Sequence, residues 1–268
     1  MLSSRRSRRP PARRSRARGG SWWWRAPPGS ARPVWCDSVG VGAGINDNGS
    51  GSAAILEIAE QLAAVNLRNK VRFIWFSAEE SGLLGSEAYV ASLPDAEREK
   101  IAAMLNFDMI GSPNFVRFVY DGDLSDSEPP EGGAPAGSAE IEELFLAYFA
   151  SRGLATEPTA FDGRSDYGPF IDAGIPAGGL FTGAEGIKTA AQAAVYGGVA
   201  GEQYDPCYHL GCDDLLNLSN PALDQMSDAT AHATITLAMS TESIAGARRS
   251  SGVAASAFPV PHPLKVTG

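Results

Sequence analysis

The feature of this sequence that most constrains its fold is the alternation of short apolar runs with stretches whose apolar residues recur at helical spacing. The apolar runs are rich in β-branched and aromatic residues, as buried strands are, and they occupy residues 71–77, 102–110, 115–120 and 176–181. The helical stretches occupy residues 53–64, 85–93, 139–152 and a last helix that starts at Asn220-Pro221, with Asn at the cap, and runs through Leu237. Strands that alternate with helices predict an α/β sandwich with an at least partly parallel sheet.

The charge of the chain divides it into two parts. Residues 1–32 contain ten of the 22 basic residues and no acid, which leaves 12 basic and 31 acidic residues, a net charge of −19, in the rest. An acidic body argues against general nucleic-acid binding, and no run approaches the roughly 18 apolar residues that a membrane-spanning helix needs. We therefore expect three regions, which are a segment over residues 1–34, a globular domain over 35–243 and a flexible tail over 244–268.

The segment over residues 1–34 consists mainly of Arg, Ser, Pro and Gly, with a Trp22-Trp23-Trp24 cluster. It has no helical or strand period, so we expect it to be disordered. No apolar stretch of the roughly 7–15 residues found in a secretory signal is visible. A mitochondrial transit peptide and a basic nucleic-acid or membrane-surface arm are open interpretations, but the abrupt change in composition favours a tail without function or a gene-model error such as a frameshift.

Four polar features lie where the ligand crevice of an α/β sheet is expected, outside the carboxyl ends of its strands. They are the turn around Asp47, the pair Glu79-Glu80, Asp108, and the tripeptide Cys207-Tyr208-His209. Three carboxylates and an imidazole converging there would need a cation, and divalent metals take such ligands. An adjacent carboxylate, Glu79, would then be placed to act as a general base.

Each of these features has a plainer explanation when it is taken alone. Asn-Asp-Asn-Gly is turn chemistry, paired glutamates favour a helix start, and a lone histidine is more often structural than a ligand. The joint order of the features is what points to a metal site. Other hydrolase and nucleotide-binding classes are disfavoured, because the chain has no G-x-S-x-G elbow, H-E-x-x-H motif or G-x-G-x-x-G loop.

Six stretches resemble, in order and spacing, the M28 family of di-zinc aminopeptidases, especially its secreted Streptomyces-type branch. They are GAGINDNGSGSAA, WFSAEESGLLGSEAYV, LNFDMIGSPN, DGRSDYGPF, GGLFTGAEGIKTAAQA and CYHLGCDDLLNLSNPALDQMSDATAHA. The region that they span covers roughly three quarters of the chain, which is far more specific than one short motif. The resemblance implies an M28-like peptidase domain over residues 35–243 with a zinc-exopeptidase, phosphorylase/hydrolase-like fold. That fold is a three-layer sandwich whose mixed, largely parallel central sheet is flanked by helices.

The resemblance assigns the zinc ligands residue by residue. Asp47 resembles the carboxylate that bridges two zinc ions, and Glu80 and His209 resemble the other ligands of one of them. Asp108 resembles a ligand of the second zinc.

The resemblance also assigns catalytic and substrate-binding roles. Glu79 resembles the general base and acid, and Tyr208 resembles the residue that hydrogen-bonds the oxygen of the tetrahedral intermediate. Arg164 lies where such enzymes line the substrate site, and Phe181 lies where an apolar pocket takes the first side chain. The implied activity is hydrolysis of the N-terminal peptide bond of peptides and proteins by a zinc-activated water.

One ligand of the family pattern is missing. The family carries a His-x-Asp pair about a dozen residues before the bridging aspartate, and this chain has Trp35-Cys36-Asp37 there. An indole cannot coordinate zinc, because its nitrogen is only a donor. We expect one strong zinc site and one weakened site, an impaired activity, and a chain that lacks the family's N-terminal elements through truncation or a frameshift. A catalytically inactive peptide-binding pseudo-enzyme is the alternative.

The remaining expectations from the resemblance concern disulfide, calcium and location. Cys207 and Cys212 are expected to pair, as in secreted members, with two free thiols as the alternative. Asp224 and Asp228 share a helix face and correspond to calcium ligands of the Streptomyces-type branch, but calcium should be weak or lost without the N-terminal ligands. The Streptomyces-type branch is secreted, so the resemblance implies an extracellular location. We expect a monomer that acts on peptide or protein N-termini.

Overall fold

The computed structural model describes residues 38–130 and 132–244. The expectations for residues 1–34, for Trp35-Cys36-Asp37 and for the tail beyond residue 244 therefore lie outside the described residues. Among the helices of the described part, none has both the length and the apolar character needed to cross a bilayer.

A four-stranded mixed sheet forms the centre of the described structure. Its strands are β1 (Met104–Phe107), β2 (Phe118–Tyr120), β3 (Glu157–Thr159) and β4 (Ala177–Phe181). The order across the sheet is β1-β4-β2-β3. The pairs β1–β4 and β2–β3 are parallel, and β2–β4 is antiparallel. The mixed, largely parallel sheet predicted for this α/β fold is confirmed.

Helices cover both faces of this sheet. The helices of the described part are α1 (Gly51–Leu62), α2 (Leu84–Ser92), α3 (Asp95–Arg98), α4 (Ser138–Ser151), α5 (Gly168–Asp172), α6 (Ala190–Tyr196) and α7 (Asn220–Met239). Residues three apart on a strand face opposite sides, and on β4 Leu180 packs in a core cluster with α1, α4 and α7 while Ala177 packs in one with α5. A third cluster joins Val90 of α2 to Phe170 of α5. The result is a helix–sheet–helix sandwich.

The predicted strand at residues 71–77 is wrong. Residues 71–76 are not in a strand, and none of them makes a backbone hydrogen bond to another residue that the structure describes. A strand needs a neighbour for its backbone groups, and the nearest candidate, the edge strand β1, is separated from this segment by a cavity of about 630 Å³ that both line. The apolar run is therefore not paired with any strand of the described part.

Smaller differences concern element ends. The predicted strands at 102–110 and 115–120 are shortened to the four residues of β1 and the three of β2. The last helix is capped by Ser219, whose hydroxyl accepts from the Ala222 amide at 3.3 Å, and not by Asn220. Strand β3 was not predicted, since its three residues include a proline and lack an apolar pattern.

Candidate metal centre

Asp47 lies in the turn Ile45–Ser50, directly before α1, and its own backbone angles are non-helical (φ −107°, ψ 95°). The turn packs against the end of β1: the Asn48 side chain donates to the Phe107 carbonyl at 3.0 Å and accepts from the Gly51 amide at 3.0 Å. A Cβ at Gly51 would stand 1.9 Å from the Phe107 carbonyl oxygen, so only glycine permits this approach. The close contact holds the 8 % exposed Asp47 at the carboxyl end of the sheet.

His209 and Glu80 meet Asp47 there. The His209 Nε2 atom lies 3.2 Å from Asp47 Oδ2 and 3.0 Å from Glu80 Oε2. One ligand atom from each of the three residues lies within 4.8 Å of the others. The three side chains converge as the sequence predicts for a metal site.

The loop that carries His209 is closed by a disulfide. Cys207 and Cys212 are bonded, with their Cα atoms 5.3 Å apart, so the expected pairing is confirmed. His209 itself adopts a φ of 57°, a conformation that is uncommon for a residue other than glycine. The short covalent ring restricts the backbone around the imidazole.

The electrostatics of the cluster favour a cation. Burial, and then the negative charges of Asp108, Glu80 and Glu79, together raise the pKa of Asp47 from 3.8 to about 9. A carboxyl that holds its proton at neutral pH marks an excess of negative charge, which a divalent cation would neutralise. Carboxylate oxygens together with an imidazole are suitable zinc ligands, so the donor set fits that ion.

Asp108 directly follows β1 and faces the same pocket as Asp47 and Glu79. Its Oδ2 atom accepts a hydrogen bond from the Ser165 hydroxyl at 2.7 Å, and that hydroxyl accepts from the Asn106 amide at 3.0 Å. Sequence reasoning missed Ser165 as an orienting residue. Ser165 could have been found, because it directly follows Arg164 in the DGRSD stretch that resembles the family.

The Tyr208 ring stacks on the His209 ring with centroids 3.8 Å apart. Burial, and then the charges of Asp47, Glu185 and Glu80, raise the pKa of Tyr208 well above its usual value. The phenol therefore keeps its proton at neutral pH and remains a hydrogen-bond donor.

The two predicted substrate-site residues lie on different elements. Arg164 is exposed, and its Nη1 atom forms an ion pair with Glu185 Oε1 at 3.4 Å. Phe181 ends β4 and stacks on Phe118, with centroids 6.1 Å apart. Their part in substrate binding stays a prediction.

The predicted calcium ligands Asp224 and Asp228 are both exposed on α7. Among the described residues, neither belongs to a group of side chains close enough to hold a metal ion. A different acidic group, formed by Asp121, Asp123 and Glu142, does meet that criterion. The calcium assignment stays a prediction.

Comparisons with known proteins agree with the M28 resemblance of the sequence motifs. The model of peptidase family M28 matches residues 36–234. The chain is 57% identical over 206 residues to an aminopeptidase of Pseudomonas aeruginosa, covering 77% of this chain and 38% of that protein. It is 51% identical over 208 residues to leupeptin-inactivating enzyme 1 of Streptomyces exfoliatus, covering 76% and 44%. A zinc aminopeptidase structure from Bacillus subtilis matches with a TM-score of 0.60 and 27% identity, covering 78% of this chain and 46% of that one. The chain thus spans less than half the length of these relatives.

Proposed function

Because the chain belongs to peptidase family M28, we propose that it is a zinc-dependent aminopeptidase that hydrolyses the N-terminal peptide bond of peptides and proteins. The observation that carries the proposal is the convergence of Asp47, Glu80 and His209, whose ligand atoms lie within 4.8 Å of one another. The raised pKa of Asp47 supports a cation there. Similarity to named aminopeptidases supports the reaction class.

Four side chains would hold the metal. Asp47, Glu80 and His209 supply a complete set of three protein ligands for one zinc ion. Asp108, with the shared Asp47, supplies two ligands for a second. When bound, zinc polarises a peptide carbonyl and activates a water for attack on it.

Two neighbouring residues would handle the protons and the developing charge. A carboxylate oxygen of Glu79, in the same pocket as Asp47 and Asp108, takes the proton of the attacking water and passes it to the leaving amine. Tyr208, which stays protonated, donates a hydrogen bond to the carbonyl oxygen as negative charge develops on it. Both roles are proposals.

Substrate recognition is proposed to use charge and an apolar pocket. The cluster carboxylates attract the positive N-terminal amine of a peptide, which is the group that distinguishes a chain end from an internal bond. Arg164 lines the entrance, and Phe181 contacts the first side chain. The disulfide between Cys207 and Cys212 supports an oxidising, extracellular location.

Trp35 makes the two zinc sites unequal in this proposal. It stands where the family has an imidazole ligand, so the second zinc keeps only Asp47 and Asp108 from the residues that the structure describes. The same substitution favours one other function, a peptide-binding protein that has lost catalysis. Calcium bound by Asp224 and Asp228 is proposed to be weak, as their exposure on α7 supports.

The test combines metal content with hydrolysis by the purified chain. We expect about one zinc per chain after dialysis and slow hydrolysis of aminoacyl p-nitroanilides that an N-terminal acetyl group abolishes. His209→Ala should lose both zinc and hydrolysis. His232→Ala should keep the zinc, because this partly buried histidine packs at a tilt against Tyr148 and belongs to no group of described residues close enough to hold a metal. Zinc without hydrolysis would favour the pseudo-enzyme, and a chain that binds no zinc would refute the proposal.

A further inference from the structure

Two buried aspartates bracket the disulfide loop that carries His209. Asp205 is fully buried and Asp213 is 3 % exposed, and they lie before and after the loop in sequence. Neither belongs to a group close enough to hold a metal among the described residues. Each carboxylate accepts at least one hydrogen bond from the segment that carries Asp47.

Asp213 binds the backbone of that segment with both oxygens. The Asn46 amide donates to Asp213 Oδ1 at 2.9 Å, and the Asp47 amide donates to Asp213 Oδ2 at 3.1 Å. Asp47 is therefore tied through its own N–H to a residue four positions after His209. Hydrogen bonds donated to a charged acceptor are stronger than those between neutral groups, and burial strengthens them further.

The fully buried side chain of Asn46 extends the connection to the other ligands. Its Nδ2 atom donates to Asp205 Oδ2 at 2.6 Å and to Ser112 Oγ at 3.1 Å. Its Oδ1 atom accepts from the Gly111 amide at 3.1 Å, just beyond Asp108 in the chain. The Asp205 carboxylate in turn accepts from the Cys207 amide at 2.8 Å. One side chain thus contacts the segments that carry three of the four ligands.

On the premise that this site is the zinc centre proposed above, we infer that Asp213 is a positioning residue that sets zinc affinity by holding Asp47 in register with His209. It acts through the backbone amides and does not touch the metal. Zinc requires its ligands within a few tenths of an ångström of their places, so a shift of the Asp47 turn relative to the disulfide loop weakens binding.

Asp213→Asn is the decisive substitution, because it keeps size and shape. An amide has one accepting oxygen, so its NH₂ group would face either the Asn46 or the Asp47 amide, donor against donor. Asp121→Asn is the matched control. Asp121 is fully buried and accepts the Ser125 and Asp126 amides at 3.1 and 2.9 Å. It lies in the separate acidic group with Asp123 and Glu142, so zinc affinity is compared at the His209 cluster, to which Asp121 does not belong.

Zinc dissociation constants are measured by chelator competition well below the melting temperatures of all variants. We expect Asp213→Asn to weaken zinc binding by at least about tenfold, as changes next to metal ligands typically do, and Asp121→Asn to leave it within about twofold. Equal affinities in the two variants, with similar losses of melting temperature, would overturn the inference and leave Asp213 a purely structural role. Asn217→Ala, which removes donors to Asp205 and Asp213 at 2.8 and 3.4 Å, is the milder variant if Asp213→Asn fails to fold. It should weaken zinc binding measurably more than Asp121→Asn does.

A metal-free measurement separates this inference from the proposed function. Amide hydrogen exchange of the peptide that covers residues 45–50 should be faster in Asp213→Asn than in Asp121→Asn without any metal present. If the wild-type chain binds no zinc, the proposed function fails whatever the exchange rates are. If it binds zinc and exchange at residues 45–50 is unchanged in Asp213→Asn, the inference alone fails.

Discussion

The competition between zinc and a proton at Asp47 gives a quantitative prediction. Burial, and then the neighbouring charges of Asp108, Glu80 and Glu79, raise the pKa of Asp47 to about 9 in the metal-free protein. Because the pKa of Asp47 in the folded protein lies above its ordinary value of 3.8, this carboxyl contributes to the stability of the metal-free fold below about pH 3.8. That contribution is lost as the pH rises through about 9. Zinc needs the ionised carboxylate, so its affinity changes in the opposite direction.

The size of the effect follows from the fraction of Asp47 that is ionised. With a pKa of about 9 this fraction is about one in a hundred at pH 7 and about one half at pH 9. Zinc affinity should therefore rise by at least about tenfold, and by up to about 50-fold, between pH 7 and pH 9, with close to one proton released per zinc at pH 7.

Calorimetry in two buffers of different ionisation enthalpy counts the released protons, and chelator competition gives the affinity at each pH. Asp47→Asn has no titrating carboxyl at this position, so it should bind zinc more weakly and lose the pH dependence. A wild-type affinity that is flat between pH 7 and pH 9, or binding at pH 7 without proton release, would refute the reasoning.

Three further predictions concern single groups. Glu79→Gln should lower turnover by roughly 100–10,000-fold with zinc content unchanged, because an amide cannot take a proton. The control Glu99→Gln, at an exposed position, should change neither turnover nor zinc content. Loss of zinc in Glu79→Gln would instead show that Glu79 is a zinc ligand. Burial raises the pKa of Glu142 to about 7. Its contribution to folding stability is therefore fully present below about pH 4.5 and is lost as the pH rises through about 7. Metal-free Glu142→Gln should then unfold at a higher urea concentration than the wild type at pH 8, but not at pH 5. Replacing Cys207 and Cys212 by Ser should lower the free energy of unfolding by about 2 kcal/mol for so short a loop, and it should weaken zinc binding. An unchanged zinc affinity would show that the disulfide does not order the loop.

Much of the fold could be predicted because helical spacing and β-branched runs are local signals. The helices α4 and α7 and the strand β4 fall within one or two residues of their expected ends. The apolar run at residues 71–77 does not show from the sequence alone whether it is a strand, because a strand needs a partner for its backbone hydrogen bonds. In the structure a cavity, and not a partner strand, lies between residues 71–76 and β1.

For the candidate site as well, the sequence predicts some residues and not others. Asp47, Glu80 and His209 were found from the order of their motifs, and the structure brings them together. Asn46 and Asp213 escaped notice because their contact spans 167 positions and follows no period in the sequence. Hydrogen bonds of this kind depend on how the loops pack, which no local pattern records.

The central claim is that zinc binds at Asp47, Glu80 and His209, and X-ray absorption at the zinc edge tests it most directly. We expect a first coordination shell of oxygen and nitrogen at about 2.0–2.2 Å, with the multiple-scattering signature of one imidazole and no sulfur. That imidazole signal should vanish in His209→Ala. A sulfur contribution near 2.3 Å, which would mean that a thiol such as Cys36 has replaced the missing ligand, or a shell without imidazole, would contradict it.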